Sequence, residues 1–342
     1  MAYINKINKP TKIIMDLDSV LFAAASAAQQ VKYTYKDKQD NIVAVFDSAK
    51  SGKNWVEGIT DFGIDIEHGY TGPVEELSRD VSYEVGDVRN AYKMFDRLLE
   101  GYLKQVGNLR WKGKVAAKTG AKNHRLSKCS IQEYKGNRKG ATKPYYTEDV
   151  RRHALTYKEV SKSIGGLESD DYIVSMAQER GQDCLAWMPE KDVFVTSGAW
   201  FFAPNLMDEP LFSPPDIIGK LWIDGRGKLV GCGFLFCIAQ ALMGDQADYY
   251  AGCKGCGEKM TFEILGEHSG KSWDKLPEVI HAALQPFRKV YGESYKYNHC
   301  MTGKPMDVTF REVFIENLTL AYMVKSVDDR PWDSIKIARG FK

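Results

Sequence analysis

The chain has 342 residues, 44% apolar and 27% charged, with 47 Lys and Arg against 45 Asp and Glu. It is too apolar for a disordered chain, and 30 Gly with 12 Pro are too few for a fibrous one, which leaves one large or two modest globular domains. A formal net charge of +2 would by itself argue against a strong nucleic-acid binder, but the charges are unevenly placed.

From the N-terminus, residues 1–12 contain no apolar core of a secretory leader, so none is expected. Lys12–Asp16 is an apolar run ending in an acid, which suits a buried strand whose carboxyl end reaches a site. Ser19 is placed to cap an Ala-rich helix over Val20–Gln30. Residues 31–85 read as a peripheral insertion, with a hairpin over Tyr33–Phe46 and then a Gly- and acid-rich loop. Ala91, Met94, Phe95, Leu98, Leu99 and Leu103 recur at helical spacing and predict a helix over Val88–Val106.

Further strands are expected at Lys114–Ala117 and Cys184–Met188, with a helix containing Glu168–Ala177 between them. Lys220–Val230 reads as a hairpin about the Asp224-Gly-Arg-Gly turn. From Phe234 the pattern is helical and Gly-punctuated to the C-terminus, and its most apolar stretch, Phe234–Met243, is about half of a membrane span. Strands alternating with helices imply an α/β fold with a mostly parallel sheet and a helical C-terminal module. Seven scattered cysteines read as a reduced, cytosolic protein.

Residues 104–143 hold twelve Lys or Arg and one acid, Glu133, a net +11 that leaves −9 for the rest. A one-sign block suits a polyanion or a flexible arm, and Tyr134, Tyr145 and Tyr146 within or beside it suit unpaired nucleic-acid bases. The acids gather in four places: Asp16 and Asp18; Glu168, Asp170 and Asp171; Glu190 and Asp192; Asp245 and Asp248. Loops at the carboxyl ends of strands in such a sheet converge on one edge, and Glu168 and Asp171 share a helix face. Converging carboxylates need a proton or a cation, and an oxygen-only donor set favours Mg²⁺ or Mn²⁺. Separately, each pair could be a helix cap or a solvated turn.

The loop Gly252–Lys259 follows Asp248, and its glycines Gly252, Gly255 and Gly257, with Lys254 and Lys259, could meet a phosphate. Cys253 and Cys256 could alternatively begin a zinc site with His268, His299 or Cys300, although the spacing is irregular.

The ordered motifs Met15-Asp-Leu-Asp-Ser19, Asn123-His-Arg125 with Tyr134–Lys139, Glu168-Ser-Asp-Asp171, Glu190-Lys-Asp192 and Gly244–Asp248 resemble the flap endonuclease and 5′→3′ exonuclease family, part of the PIN-like nucleases, in its compact bacteriophage form. The resemblance runs from Ile13 to about Leu265 and matches poorly over 31–85. Glu190 stands where the family usually has Asp, and Lys118-Thr-Gly where many members have an acid.

What the resemblance implies is a metal-dependent nuclease domain over 1–240, with the hairpin insertion and a basic arch at about 120–160. A DNA-binding region of helix–hairpin–helix type would follow over 241–342. It implies two Mg²⁺ or Mn²⁺ ions on the nine acids, Lys135 and Arg138 on the scissile phosphate, and Tyr134 stacking on a base. Arg125, Lys139 and the 252–259 hairpin would touch DNA, with K⁺ at the hairpin. The expected protein is a monomeric, cytoplasmic enzyme of phage DNA replication or degradation, in the host cell's cytoplasm if phage-encoded and without membrane contact. Its substrate would be a 5′-ended duplex, a flap or a single-strand/duplex junction. An RNase acting on RNA–DNA hybrids, a catalytically impaired DNA-junction binder, and a haloacid-dehalogenase-type phosphatase, suggested by Asp16-Leu-Asp-Ser-Val, are the alternatives.

Overall fold

The computed structural model describes the chain outside residues 1–8, 63–67, 108, 117–123, 139–142, 164–166 and 325–342. Lys139, expected on DNA, lies outside the described residues, as do Lys118 and Lys122 of the basic block.

In chain order the elements begin with β1 (Lys12–Asp16), α1 (Asp18–Ser26), β2 (Gln29–Lys36), β3 (Ile42–Phe46), α2 (Ala49–Phe62), β4 (Ser78–Val85) and α3 (Val88–Val106). Next come β5 (Arg110–Val115), α4 (Thr147–Ala154), β6 (Val160–Lys162), α5 (Ser169–Arg180), β7 (Cys184–Trp187), β8 (Trp200–Phe202) and β9 (Leu211–Phe212). The C-terminal part holds β10 (Gly219–Ile223), β11 (Leu229–Cys232), α6 (Gly233–Met243), α7 (Glu258–Leu265), α8 (Leu276–Tyr291), β12 (Tyr295–Asn298), β13 (Pro305–Val308) and α9 (Phe310–Ala321). No helix among the described residues is long and apolar enough to cross a membrane.

The chain divides into two compact units. One takes Met1–Ser19, Val106–Ala141 and Tyr157–Lys342; the other takes Val20–Gln105 and Thr142–Thr156. Residue 240, where the boundary is expected, lies inside α6, a helix buried almost throughout.

The larger unit is built on a sheet of order β6-β5-β1-β7-β8-β9, parallel except for β9. Ile13, Ile14 and Met15 are buried in its centre, as a continuous apolar run demands of a strand covered on both faces. From β1 the chain moves outward to β5 and β6, then returns to β7 on the other side of β1. That reversal of direction opens a crevice at the carboxyl ends of β1 and β7. Gly113 in β5 is required there: a Cβ would lie 2.3 Å from Leu17 Cδ1, so the missing side chain admits Leu17 and fixes the turn beside Asp16. Helix α5 lies against β1, β5 and β7. Further along, α6 supplies an apolar centre on which α7 and α9 pack.

The smaller unit carries the antiparallel sheet β3-β2-β4 over its own core of Tyr35, Ala44, Trp55 and Ile59. Tyr33 pairs with Phe46, as the hairpin pattern predicts, and α3 spans the expected residues. Residues 142–156, expected within the arch, belong to this unit, where the His153 ring stacks on Tyr92 at 4.5 Å.

Several local expectations shift. Helix α1 begins at Asp18, so Ser19 lies inside it rather than capping it, and the helix stops at Ser26 because β2 starts at Gln29. Strand β5 lies earlier than Lys114–Ala117. The C-terminal part is not wholly helical: β12 and β13 form a hairpin with Tyr295 and Tyr297 stacked at 5.3 Å.

Candidate metal centre

All four acid clusters belong to the larger unit. Asp16 ends β1 and Asp18 opens α1, and Ser169 Oγ donates to both, at 2.8 Å to Asp16 Oδ1 and 3.0 Å to Asp18 Oδ2. The Ala116 amide at the end of β5 also donates to Asp18. One serine at the start of α5 therefore ties the ends of β1 and β5 to the second acidic cluster. Glu168, Asp170 and Asp171 sit at that helix N-terminus, with a carboxylate oxygen from each within 4.8 Å of the others. Glu190 and Asp192 follow β7, and Gln240 of α6 donates to Asp192 at 3.2 Å. Asp245 and Asp248 occupy a turn after α6, closed by paired backbone bonds between Asp245 and Tyr250 at 2.8 and 3.0 Å.

The carboxylates fall into two groups by what neutralises them. Asp171 is fully buried and clasped by Arg125, whose Nη2 lies 2.7 Å from Oδ1 and whose Nη1 also bonds Glu168 at 2.7 Å. Lys135 bonds Glu168 and lies 3.3 Å from Asp248, and Arg138 lies 3.4 Å from Asp248. Lys191 pairs with Asp245 at 3.0 Å. Burial alone would raise Glu168, but Arg125 and Lys135 outweigh it and hold its carboxyl at about 2.

Asp16, Asp170, Glu190 and Asp192 have no such partner: among the described residues no Lys or Arg forms an ion pair with any of them. Burial and then the neighbouring Asp18 push Asp16 up to about 7. Burial, then Asp248 and Asp245, do the same to Asp192. Asp170 is driven well above the usual carboxylate range by burial and then by Glu168 and Asp171, and Glu190, whose residue stays exposed at the rim, is raised by partial burial and then Asp248. Four acids crowded by like charge, with no ion pair of their own among the described residues, form the part of the site open to a cation.

The other expected residues divide. Lys135 and Arg138 do face the acids, and the segment carrying them is bound to the last acidic turn. Lys135 N donates to Asp248 O at 2.8 Å, Asn137 Nδ2 to Gln246 O at 2.9 Å, and Arg138 Nη2 to Ala247 O at 3.0 Å. Arg125 is not a surface contact for DNA; it is 1% exposed and spent on Asp171, Glu168 and the carbonyls of Leu320 and Tyr322. Tyr134 cannot stack on a base, because its ring is buried and its hydroxyl lies 2.8 Å from Glu168 and 2.6 Å from Asp248. Gly252 is also turned inward, with its amide donating to Asn317 Oδ1 at 2.9 Å. Lys254, Gly255, Gly257 and Lys259 are exposed around the start of α7. Cys253 and Cys256 are buried neighbours, and among the described residues no metal-capable cluster forms from them with a histidine.

The sequence reading missed the structural roles of Arg125, Ser169 and Gln240. Ser169 was within sight, since it stands inside Glu168-Ser-Asp-Asp171; Gln240 carried no signal beyond being the one polar residue of an apolar helix.

No protein-family model and no curated protein sequence matches the chain. Among solved structures it is similar to a bacteriophage T5 protein co-crystallised with metal ions, at 16% identity and a TM-score of 0.38 over 68% of this chain and 81% of that one. It is also similar to the bacteriophage T5 flap endonuclease in a pseudo-enzyme–product complex with DNA and metal ions, at 17% identity and the same TM-score, over 68% and 80%. Neither likeness is close enough to fix a shared activity; the site's own geometry bears the functional question.

Proposed function

We propose that the chain is a divalent-metal-dependent nuclease that hydrolyses DNA phosphodiesters near a 5′ end, as a 5′→3′ exonuclease and structure-specific flap endonuclease. The observation that carries this reading is the meeting of acids from four separate segments, four of them without an ion-pair partner among the described residues, beside a lysine and an arginine. The order of the motifs, from Met15-Asp-Leu-Asp-Ser19 to Gly244–Asp248, supports the 5′-nuclease assignment over other phosphoesterases.

The donor set fits Mg²⁺ or Mn²⁺: every candidate ligand is a carboxylate, and burial and then neighbouring acids raise Asp16 and Asp192 each to about 7, a crowding that a bound cation would relieve. Asp16, Asp170, Glu190 and Asp192 would hold two such ions, with Asp18, Asp245 and Asp248 adjoining. Bound there, divalent ions supply an acidified water and positive charge for the attacked phosphate and the leaving oxygen.

The chain's own residues do the rest. Lys135 and Arg138 now bond carboxylates and would exchange those partners for phosphate oxygens, placing the reacting ester against the acids. Tyr134 joins Glu168 to Asp248 and so holds two acidic loops at a fixed separation. Ser169 likewise ties the acids at the start of α5 to Asp16 and Asp18. The exposed lysines and glycines at the start of α7 would grip duplex backbone, with K⁺ there as the resemblance implies.

The test is a labelled 5′-flap duplex incubated with Mg²⁺, with EDTA, and with an RNA–DNA hybrid in parallel. The expected result is Mg²⁺-dependent release of short 5′ products by the wild type, and none by Asp192→Asn. Absence of cleavage on every substrate by a folded, Mg²⁺-bound protein would overturn the reading.

A further inference from the structure

Beside the acids lies a second, differently made space. A cavity of about 550 Å³ opens between the Lys135–Arg138 segment and the turn after α6, lined by Gln132, Asn137, Asp245, Gln246, Tyr249 and Tyr250. Its walls combine amide side chains and tyrosines with the apolar Met243 and Ala251, whereas the metal centre is all carboxylate, and Asp245 is common to both.

Tyr249 is the unusual member. Its backbone is left-handed, at φ 60°, a conformation that glycine and asparagine adopt readily and a bulky residue adopts at a cost. The conformation is enforced by the Asp245–Tyr250 backbone pair on either side of it. The result is an aromatic residue 40% exposed at the cavity. The ring lies beside the lysine segment: a Cβ added to Gly136 would meet Tyr249 Cδ1 at 3.5 Å. Asn137 and Arg138 hold the same turn from the other side, through Gln246 O and Ala247 O.

We infer that this cavity is a subsite for one unstacked nucleobase, that of a nucleotide adjoining the phosphate held by Lys135 and Arg138, with Tyr249 as its stacking platform. The inference rests on the nuclease reading above and adds to it the group that grips the base. An exposed ring accepts the face of any base, and amides offer both donors and acceptors to a base edge. Gln132 and Gln246 are the amides available for this, since Asn137 Nδ2 is already engaged. Tyr134, in contrast, is buried under the acids and has no free face to offer. A strained backbone at Tyr249 is explained if the ring's position is what the turn is shaped to deliver.

Two variants separate a base platform from a structural residue. Tyr249→Asn removes the ring and suits the left-handed backbone, so it should melt no lower than wild type while KM for a 5′-flap strand rises about tenfold and kcat stays within about twofold. Tyr249→Phe keeps the ring and should match wild type. A substrate abasic at the gripped nucleotide should erase the difference between Tyr249→Asn and wild type. An unchanged KM in Tyr249→Asn, or an equal loss on the abasic substrate, would overturn the subsite.

A readout that does not depend on cleavage keeps the two readings apart. With Ca²⁺ present, 2-aminopurine placed in turn at the four nucleotides nearest the junction should be quenched at one position by wild type and Tyr249→Phe but not by Tyr249→Asn. Quenching without cleavage would uphold the subsite and sink the nuclease reading. Cleavage with no ring-dependent quenching at any position would do the reverse.

Discussion

Arg125 Nη2 sits 2.7 Å from Asp171 Oδ1, and the two side chains are 1% and 0% exposed. The same Asp171 carboxylate also accepts from the amides of Glu168 and Val324, at 3.2 and 3.0 Å. Asp171 is thus a structural anchor joining the start of α5 to the chain after α9, while Asp192 faces other acids. Opposite effects on the metal-free protein follow. Asp171→Asn should cost about 3 kcal/mol, since it breaks a buried ion pair and leaves the Arg125 guanidinium with Glu168 as its remaining carboxylate partner. Asp192→Asn should stabilise by on the order of 2 kcal/mol at pH 8, because it removes a crowded charge held near 7. Urea unfolding in EDTA reads both; two variants destabilised alike would remove the distinction between anchor and ligand.

The pH dependence has a defined sign. Asp16 and Asp192 are raised to about 7 in the fold from about 4 in the unfolded chain. Between those values the folded state binds the extra protons, so the two groups favour folding at low pH and cost stability as pH rises to 7. A divalent ion replaces those protons. Mg²⁺ should therefore raise Tm strongly at pH 8 and very little at pH 5.5, with affinity falling about tenfold per pH unit for each proton displaced. A Tm increase independent of pH over that range would show that the ion binds elsewhere.

Lys135 lies among Glu168, Asp170 and Asp248, and although burial opposes it, those acids hold its ammonium charged well beyond the usual range. It serves as a counter-charge in the free protein and, as proposed, as a phosphate contact in the complex. Lys135→Ala should slow cleavage about 10²-fold while leaving Mg²⁺ affinity unchanged or tighter, since a competing cation is lost. Single-turnover rates with titrated Mg²⁺ measure both; weaker Mg²⁺ binding would mean that Lys135 orders the ligands.

Much of the site was legible in the sequence because its acids sit where the chain direction makes them meet. Ile13–Met15 is a continuous apolar run closed by Asp16, and a parallel sheet sends every such end to one edge. What escaped depends on contacts remote in sequence. Arg125 lies 46 residues from Asp171 and 195 from Leu320, so a local charge count sees only another base in a +11 block. Tyr134 among lysines reads as a base-stacking ring by the same logic, whereas its hydroxyl bridges two acids. Helix α3 and the Tyr33–Phe46 hairpin were visible because each buries one face at a regular period. The division into two units was not, since its second segment, 142–156, returns after the whole of 106–141 and is assigned by contacts remote in sequence, such as the His153 ring on Tyr92.

The glycine loop after the last acids should separate into a structural half and a contact half. Gly252 has φ +65°, and a Cβ on it would fall 2.2 Å from Gly244 N and 2.5 Å from Met243 C, against backbone that cannot give way. Gly255 has φ +88° but nothing within 4 Å of its added Cβ. Gly252→Ala should therefore cost about 3 kcal/mol or more by displacing the turn that carries Asp245 and Asp248, whereas Gly255→Ala should cost about 1 kcal/mol of backbone strain alone. Lys254 and Lys259 are exposed, so replacing either with Ala should leave stability within about 0.5 kcal/mol. If they meet the duplex backbone, each replacement should also lower the slope of log K against log salt by about 1. Binding measured between 50 and 200 mM salt decides this at order-of-magnitude precision. An unchanged slope in both lysine variants, with Gly255→Ala binding as wild type does, would leave the loop a fold element only and move duplex contact elsewhere on the chain.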